Sequence, residues 1–318
     1  MAHDIEQENR DKQKVARLSI ISNAVLTTSK IITGICTGSV SIISEGVHSG
    51  IDLFASLVAF FSVKKSSLPP DRDHAFGHGK YEDASGMLEA ILILAAAGII
   101  IWEAVSKLIS GESAISYDIL YIGLIVMGVS ALMNFIVSQC LMKVAKRTHS
   151  IALESDAWHL RTDVLTSAGV FLGIGLIQIT HISFLDSIIA IAVAVFIVRS
   201  AWHLIRKSFS DLMDESLDDK ELAIIEGIIE RHRDEYTNYH GLKTRRAGPD
   251  CFAEFHLMMP AKLPLDEAHH LAEHIEDEMV SEIPRLSVIV HIDPCDRRCG
   301  AASCTFVCRK MVKKEQQG

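Results

Sequence analysis

Six apolar stretches of spanning length constrain this chain more than any other feature: residues 15–36, 39–63, 81–109, 119–142, 151–179 and 184–205. At ~1.5 Å of rise per residue, each crosses ~30 Å of hydrocarbon as a helix. After Lys207 the hydropathy collapses, and the next hundred or so residues read as polar and globular. The composition fits two unlike parts: 49% hydrophobic is high for a soluble protein, yet 22% is charged. The reading is an N-terminal segment over 1–14, a six-helix membrane domain over 15–207, a soluble domain over 208–294 and a basic, cysteine-bearing tail over 295–318.

Lys and Arg set the orientation. Arg10, Lys12, Lys14 and Arg17 precede or open the first span; Lys64, Lys65, Arg72 and Lys80 fill the second loop; Lys143, Lys146 and Arg147 fill the fourth; Arg206 and Lys207 end the sixth helix. The opposite loops carry no Lys or Arg. The positive-inside rule then puts both termini and the soluble domain in the cytoplasm. No charged n-region, short apolar core and cleavage site precede the first span, so no removable signal peptide is expected. The net charge of −9 resides largely in the soluble part and argues against nucleic acid as a partner.

That soluble part reads helix, strand, strand, helix, strand. Leu222, Ile225, Ile228 and Ile229 recur at helical spacing within 218–233. Segments 242–247 and 251–259 flank Gly248-Pro249-Asp250, a hairpin turn. A second helix over 264–283 is stopped by Pro284, and 286–292 alternates like a strand. The order predicts an open-faced α/β sandwich with its helices on one side.

An ionised side chain at mid-bilayer costs at least ~2.5–3.5 kcal/mol, so those that persist there are candidates for function. The second span holds His48 and Asp52, the fifth His159 and Asp163. A spacing of four puts each pair on one helix face. The second span descends from outside and the fifth ascends from the cytoplasm, so both pairs run past the midplane, where they can meet. Two imidazoles and two carboxylates suit Zn²⁺ and accommodate Cd²⁺, Co²⁺ or Fe²⁺. The competing reading is a pair of hydrogen bonds tying helices together, made less economical by two identical pairs at matched depth. Glu45, one turn before His48, is a further carboxylate or proton carrier, or a structural pairing group; Arg161 is expected to snorkel or pair with an acid.

Three further groups draw notice. Asp71, His74 and His78 lie in the second loop, where Gly77 and Gly79 permit a tight wrap around one ion, or a solvated polar loop. His240, His256 and His291 with Asp293 can converge at an edge of the sheet, Asp293 bridging two ions, while His270 and His274 read as bystanders. Cys295, Cys299, Cys304 and Cys308 are spaced by three, four and three residues, unlike the CxxC pairs of a zinc ribbon; in a reducing compartment they are thiols. Cys36, Cys140 and Cys251 read as packing residues.

Taken together, His48xxxAsp52, His159xxxAsp163, the loop ending Phe76-Gly77-His78-Gly79-Lys80 and the closing His291-Ile292-Asp293-Pro294 resemble the bacterial cation diffusion facilitators. The resemblance covers nearly everything from the first span to Pro294. It implies a homodimeric metal exporter with six transmembrane helices and a cytoplasmic domain of metallochaperone-like fold; inner-membrane location and proton-coupled alternating access are the expectations that go with it. It implies a transport site of His48, Asp52, His159 and Asp163, a loop site of Asp71, His74 and His78, and a cytoplasmic binuclear site of His240, His256, His269, His291 and Asp293. Lys80 and Asp214 resemble a charge pair near the dimer's hinge. His at position 48 resembles the zinc-selective branch; relatives with Asp there take a broader range, including iron and cadmium. The donor sets leave cobalt and manganese open as well. No enzyme is expected, since no His-Glu-x-x-His helix is present. A membrane-anchored metal sensor would not need ligands inside its anchor.

Overall fold

The computed structural model describes residues 2–37, 40–110, 120–180 and 185–295. Two compact units result, Ala2–Leu212 and the soluble part that follows from Met213.

The first unit is six long helices: α1 (Ala2–Thr37), α2 (Val40–Ser66), α3 (Lys80–Ser110), α4 (Leu120–Thr148), α5 (Ile151–Thr180) and α6 (Leu185–Leu212). Each covers one of the six apolar stretches to within one residue. Helices outrun hydropathy because backbone hydrogen bonding does not stop at the hydrocarbon boundary; α1 accordingly starts at Ala2, within the segment read as a separate N-terminal piece. Among the described residues, five of these helices are apolar enough to span by length and composition. The first half of α5 carries Glu154, Asp156, His159, Arg161 and Asp163, and the sequence of its second half is apolar.

Small residues make the helix contacts. Ala16, Ala145, Ala152 and Ala157 sit with Val63, Leu141, Leu153 and Leu160 in one buried seam; Ala90, Ala97 and Ala201 join Ile93, Ile197 and Leu204 in another. In hydrocarbon, side chains gain nothing by leaving lipid, so close approach through Ala and Ser takes over. Outward-facing Trp102, Ile109 and Phe54 are exposed, as a lipid-facing surface requires.

Several polar groups inside this unit are paired across helices. Lys12 Nζ lies 2.6 Å from Glu82 Oε1, both side chains fully buried, and Glu82 also accepts from Ser66 and Ser150. Lys12 is therefore a buried tie between α1 and α3, not an interfacial charge. Asn23 and Ser19 of α1 meet Ser56 of α2, and Ser56 reaches Asp156 of α5 at 3.4 Å. Arg161 stacks its guanidinium 5.2 Å from the Trp158 ring centroid.

The second unit runs α7 (Asp219–Arg231), β1 (Asn238–Ala247), β2 (Asp250–Pro260), α8 (Leu265–Glu282) and β3 (Leu286–Cys295). Asp218 caps α7 by accepting from the backbone N–H groups of Lys220 and Glu221. The hairpin forms as expected, β1 antiparallel to β2. β3 then pairs parallel to β2, giving the order β1-β2-β3. Alternate β2 residues Ala253, Phe255, Leu257 and Met259 face a core shared with Ile225, Ile228 and Ile229 of α7 and Ile275 and Met279 of α8. The other face of β2, with Glu254 and His256, is open.

Cys295 is a correction to the tail reading. It is the last residue of β3 and is 2% exposed, so it belongs to the sheet. Cys299, Cys304 and Cys308 lie outside the described residues. Cys251 is buried as well, and burial pushes its thiol up to about 12, an inert packing group.

Lys12→Met should strand the buried Glu82 carboxylate and cost about 3–5 kcal/mol. The expected readout is a lower unfolding temperature in detergent, largely regained in the double variant Lys12→Met, Glu82→Gln.

Candidate metal sites

The membrane unit encloses a cavity of about 630 Å³, to which all six helices contribute. From α2 come His48 and Asp52, from α5 His159 and Asp163. One ligand atom each from His48, Asp52 and Asp163 lies within 4.8 Å of the other two. His159 joins them through Asp52, its Nε2 standing 2.9 Å from Asp52 Oδ1. Spacing of four on each helix places both donors of a pair toward the cavity, and the two helices bring the pairs together.

Two neighbours were not singled out by sequence reading. Asn134 of α4 donates Nδ2–H to Asp163 Oδ2 at 3.3 Å, which orients that carboxylate. Lys30 of α1 lines the cavity with its Nζ 2.8 Å from Ser49 Oγ, beside His48. The signal for Lys30 was present, since it is an ionisable residue deep within the first span. For Asn134, a neutral side chain among other neutral polar residues of its span, none was. The side chain of Glu45 lies outside the described residues.

In the second loop, Asp71 Oδ1 accepts from the backbone N–H groups of Asp73 and His74, an Asx-type turn. These donors, that of His74 foremost, hold the Asp71 carboxyl below the usual carboxylate range. Gly77 closes the loop at φ 84°, where a side chain would be strained. Asp71 Oδ1 is 3.3 Å from His74 Nδ1, and Oδ2 is 3.2 Å from His78 Nε2. His78 is only 2% exposed, yet neither of its ring nitrogens makes a hydrogen bond of good geometry. A buried imidazole near a carboxylate but unbonded to it has the donor arrangement of a cation site.

The soluble unit aligns three histidines by register. His240 is opposite His256, and His256 is opposite His291, one residue on each strand in a single row across the open face. Adjacent ring centroids are 4.9 Å apart in both pairs. Asp293 sits two residues beyond His291, on the same face. Its Oδ2 is 2.9 Å from His256 Nδ1 and 3.7 Å from His240 Nε2, and its Oδ1 is 3.2 Å from His291 Nε2. One carboxylate thus addresses the whole row, an oxygen toward each side, which is the geometry of a bridging ligand. The hydrogen bond with His256, then the charges of the three rings, lower its affinity for a proton. His269 is exposed on α8 and stands outside this row within one chain.

Gly241 makes the row possible. It takes φ 66° at an irregularity between His240 and Lys243, and a Cβ there would come within 3.2 Å of His256 Cδ2. At the other end of β1, Arg245 pairs with Asp214 at 3.2 Å, while Lys80 in the membrane unit donates to the Leu212 carbonyl oxygen.

A fourth group was missed. His232, His274 and Glu278 bring one ligand atom each within 4.8 Å of one another. His274 and Glu278 are readable as an i, i+4 pair; that His232 meets them follows only from the packing of α7 on α8.

Residues 16–213 match the family described as the cation efflux transmembrane domain, and 217–295 match the cation efflux protein cytoplasmic domain. An uncharacterised transporter of Synechocystis is 34% identical over 260 residues, 82% of this chain and 83% of the relative. The cation-efflux pump FieF of Shigella flexneri is 31% identical over 285 residues, 88% of this chain and 93% of the relative. A solved structure of CzrB in its zinc form is 38% identical over 27% of this chain and 97% of that chain, with a TM-score of 0.25.

Gly241→Ala forces a left-handed alanine, costing about 1–2 kcal/mol, and pushes on His256. The soluble domain should bind zinc more weakly in a chelator competition, while Lys243→Ala, on the same strand, leaves affinity unchanged.

Proposed function

The chain belongs to the cation diffusion facilitator, or cation efflux, family, and from that premise we propose that it exports a divalent metal cation, zinc foremost, from the cytoplasm in exchange for protons. The observation that carries the proposal is the convergence of His48, Asp52 and Asp163, with His159 against Asp52, in a cavity among membrane-spanning helices. Charged donors at that depth are costly, and a transported cation is what offsets the cost.

The coupling follows from ligand chemistry. A divalent cation binds neutral imidazole and ionised carboxylate, so each binding event from the cytoplasm releases protons. Protons returning from the other side compete for the same nitrogens and oxygens and expel the metal. An inward proton gradient therefore drives metal outward. Asn134 keeps Asp163 aimed during both phases, and the two helices alternate the cavity's access. The asymmetry of Lys and Arg supports cytoplasmic termini. With the soluble domain in the cytoplasm, its histidine row samples the metal to be exported, and the chain acts as a homodimer whose soluble domains tighten when metal is abundant. The Asp71, His74 and His78 loop adds a third cytoplasmic donor set.

Zinc is favoured by the nitrogen content of the transport site. Two imidazoles with two carboxylates make a four-coordinate set of the borderline kind. A second reading, export of iron, cadmium, cobalt or manganese, draws on the same two carboxylates, which hard cations also accept.

In inverted vesicles with an imposed pH gradient, the native protein should accumulate zinc and His159→Ala should lose most of that uptake. Uptake by His159→Ala equal to the native protein would remove this site from the transport path. Replacing His48 with Asp should raise cadmium and iron transport relative to zinc in the same vesicles, because it exchanges a nitrogen donor for an oxygen. An unchanged ratio would mean that position 48 does not set selectivity.

A further inference from the structure

We propose that the soluble domain carries an additional divalent-cation site in its helix layer, formed by His232, His274 and Glu278. It lies apart from the histidine row, which occupies the open face of the sheet, whereas these residues sit where the C-terminus of α7 meets α8.

The donors are already placed. His232 is the C-cap of α7, and its side chain is 12% exposed. Its Nε2 is 2.9 Å from Glu278 Oε2, and its Nδ1 is 2.8 Å from Glu235 Oε1. His274 stands one turn before Glu278 on α8, its ring centroid 5.2 Å from that of His232 and nearly perpendicular to it. These side chains wall an open hollow with Arg231, Asp277 and Ser281. Two imidazole nitrogens and one carboxylate oxygen, with a fourth position facing solvent, suit Zn²⁺ and its borderline neighbours such as Co²⁺.

The surrounding groups have the form of a supporting shell. Glu235 holds His232 by the nitrogen opposite the one offered to the ion, which fixes ring orientation. Arg231 binds Glu278 through Oε1 at 2.5 Å and Glu282 at 2.9 Å, leaving Oε2 of Glu278 turned toward the histidines. Of the charged groups that line the hollow, Arg231 stands against Asp277 and Glu278, and it is also paired with Glu282.

A plainer account gives His232 the role of an imidazolium bridging Glu235 and Glu278, tying the two helices without any metal. The two accounts differ over His274. The ion pair has no use for it, whereas the cation site needs its nitrogen. His274 is also exposed, so replacing it leaves the core intact.

The test is a Co²⁺ titration of the full chain, metal-stripped in detergent, in an Asp293→Ala background that weakens the histidine row. The parent should bind one more equivalent per chain than His274→Ala, seen both by elemental analysis and by the visible band of four-coordinate Co²⁺. Glu278→Gln should lose the same equivalent, and Glu235→Gln should weaken it about tenfold. Equal stoichiometry and equal spectra for the parent and His274→Ala would overturn the proposal. Bound metal is counted here, not flux, so failure of this site and failure of the transport assignment are separable. Should Glu278→Gln unfold, the His274→Ala comparison decides alone.

Discussion

Hydrocarbon does not solvate charge, and the membrane unit is organised around that fact. Each ionisable side chain it holds must find a partner, a cavity or a cargo. The contact of His159 with Asp52 is the point where these requirements meet, because it joins α2 to α5 and leaves His48 and Asp163 beside it. Helix pairing through alanine and serine seams brings the backbones close enough for such contacts. Elsewhere the same demand is met differently. Lys12 and Glu82 neutralise each other, with Ser66 and Ser150 filling the remaining lone pairs. The first arrangement leaves donors able to exchange partners, and the second does not.

Much of this was legible beforehand, for identifiable reasons. Hydropathy reports membrane crossing directly, so the six helices stand where the apolar runs do, and only their ends differ. The hairpin turn and the alternation of 286–292 likewise gave the order of the soluble elements. Spacing of four reveals donors that share a helix, which is why His48 with Asp52 and His159 with Asp163 were readable. Spacing cannot reveal donors that meet through packing. Asn134 on Asp163 and His232 on Glu278 are contacts between elements, and no local pattern announces them. His274 shows the cost of judging residues singly: on its helix alone it looks idle, and beside His232 it does not. Cys295 shows the converse, a residue grouped by type with the tail although it ends a strand that runs three residues farther than its alternation suggests.

The soluble domain reaches its donor set by another route, strand register. A slip of one residue in any strand would turn its histidine into the core. Register is held on one side by an unbroken parallel ladder from Cys251 and Leu286 to Pro260 and Cys295, and on the other by a ladder interrupted at Gly241. The carboxylate of Asp293 then addresses all three rings at once.

That dependence on β3 has a bearing on how the protein is made. Parallel strands need a crossover between them, here α8, so His291 and Asp293 are the last of the donors to leave the ribosome. Until they arrive, a growing chain offers His240 and His256 on a lone hairpin, without the carboxylate that unites the row. The complete row therefore forms only once β3 has been made and paired with β2.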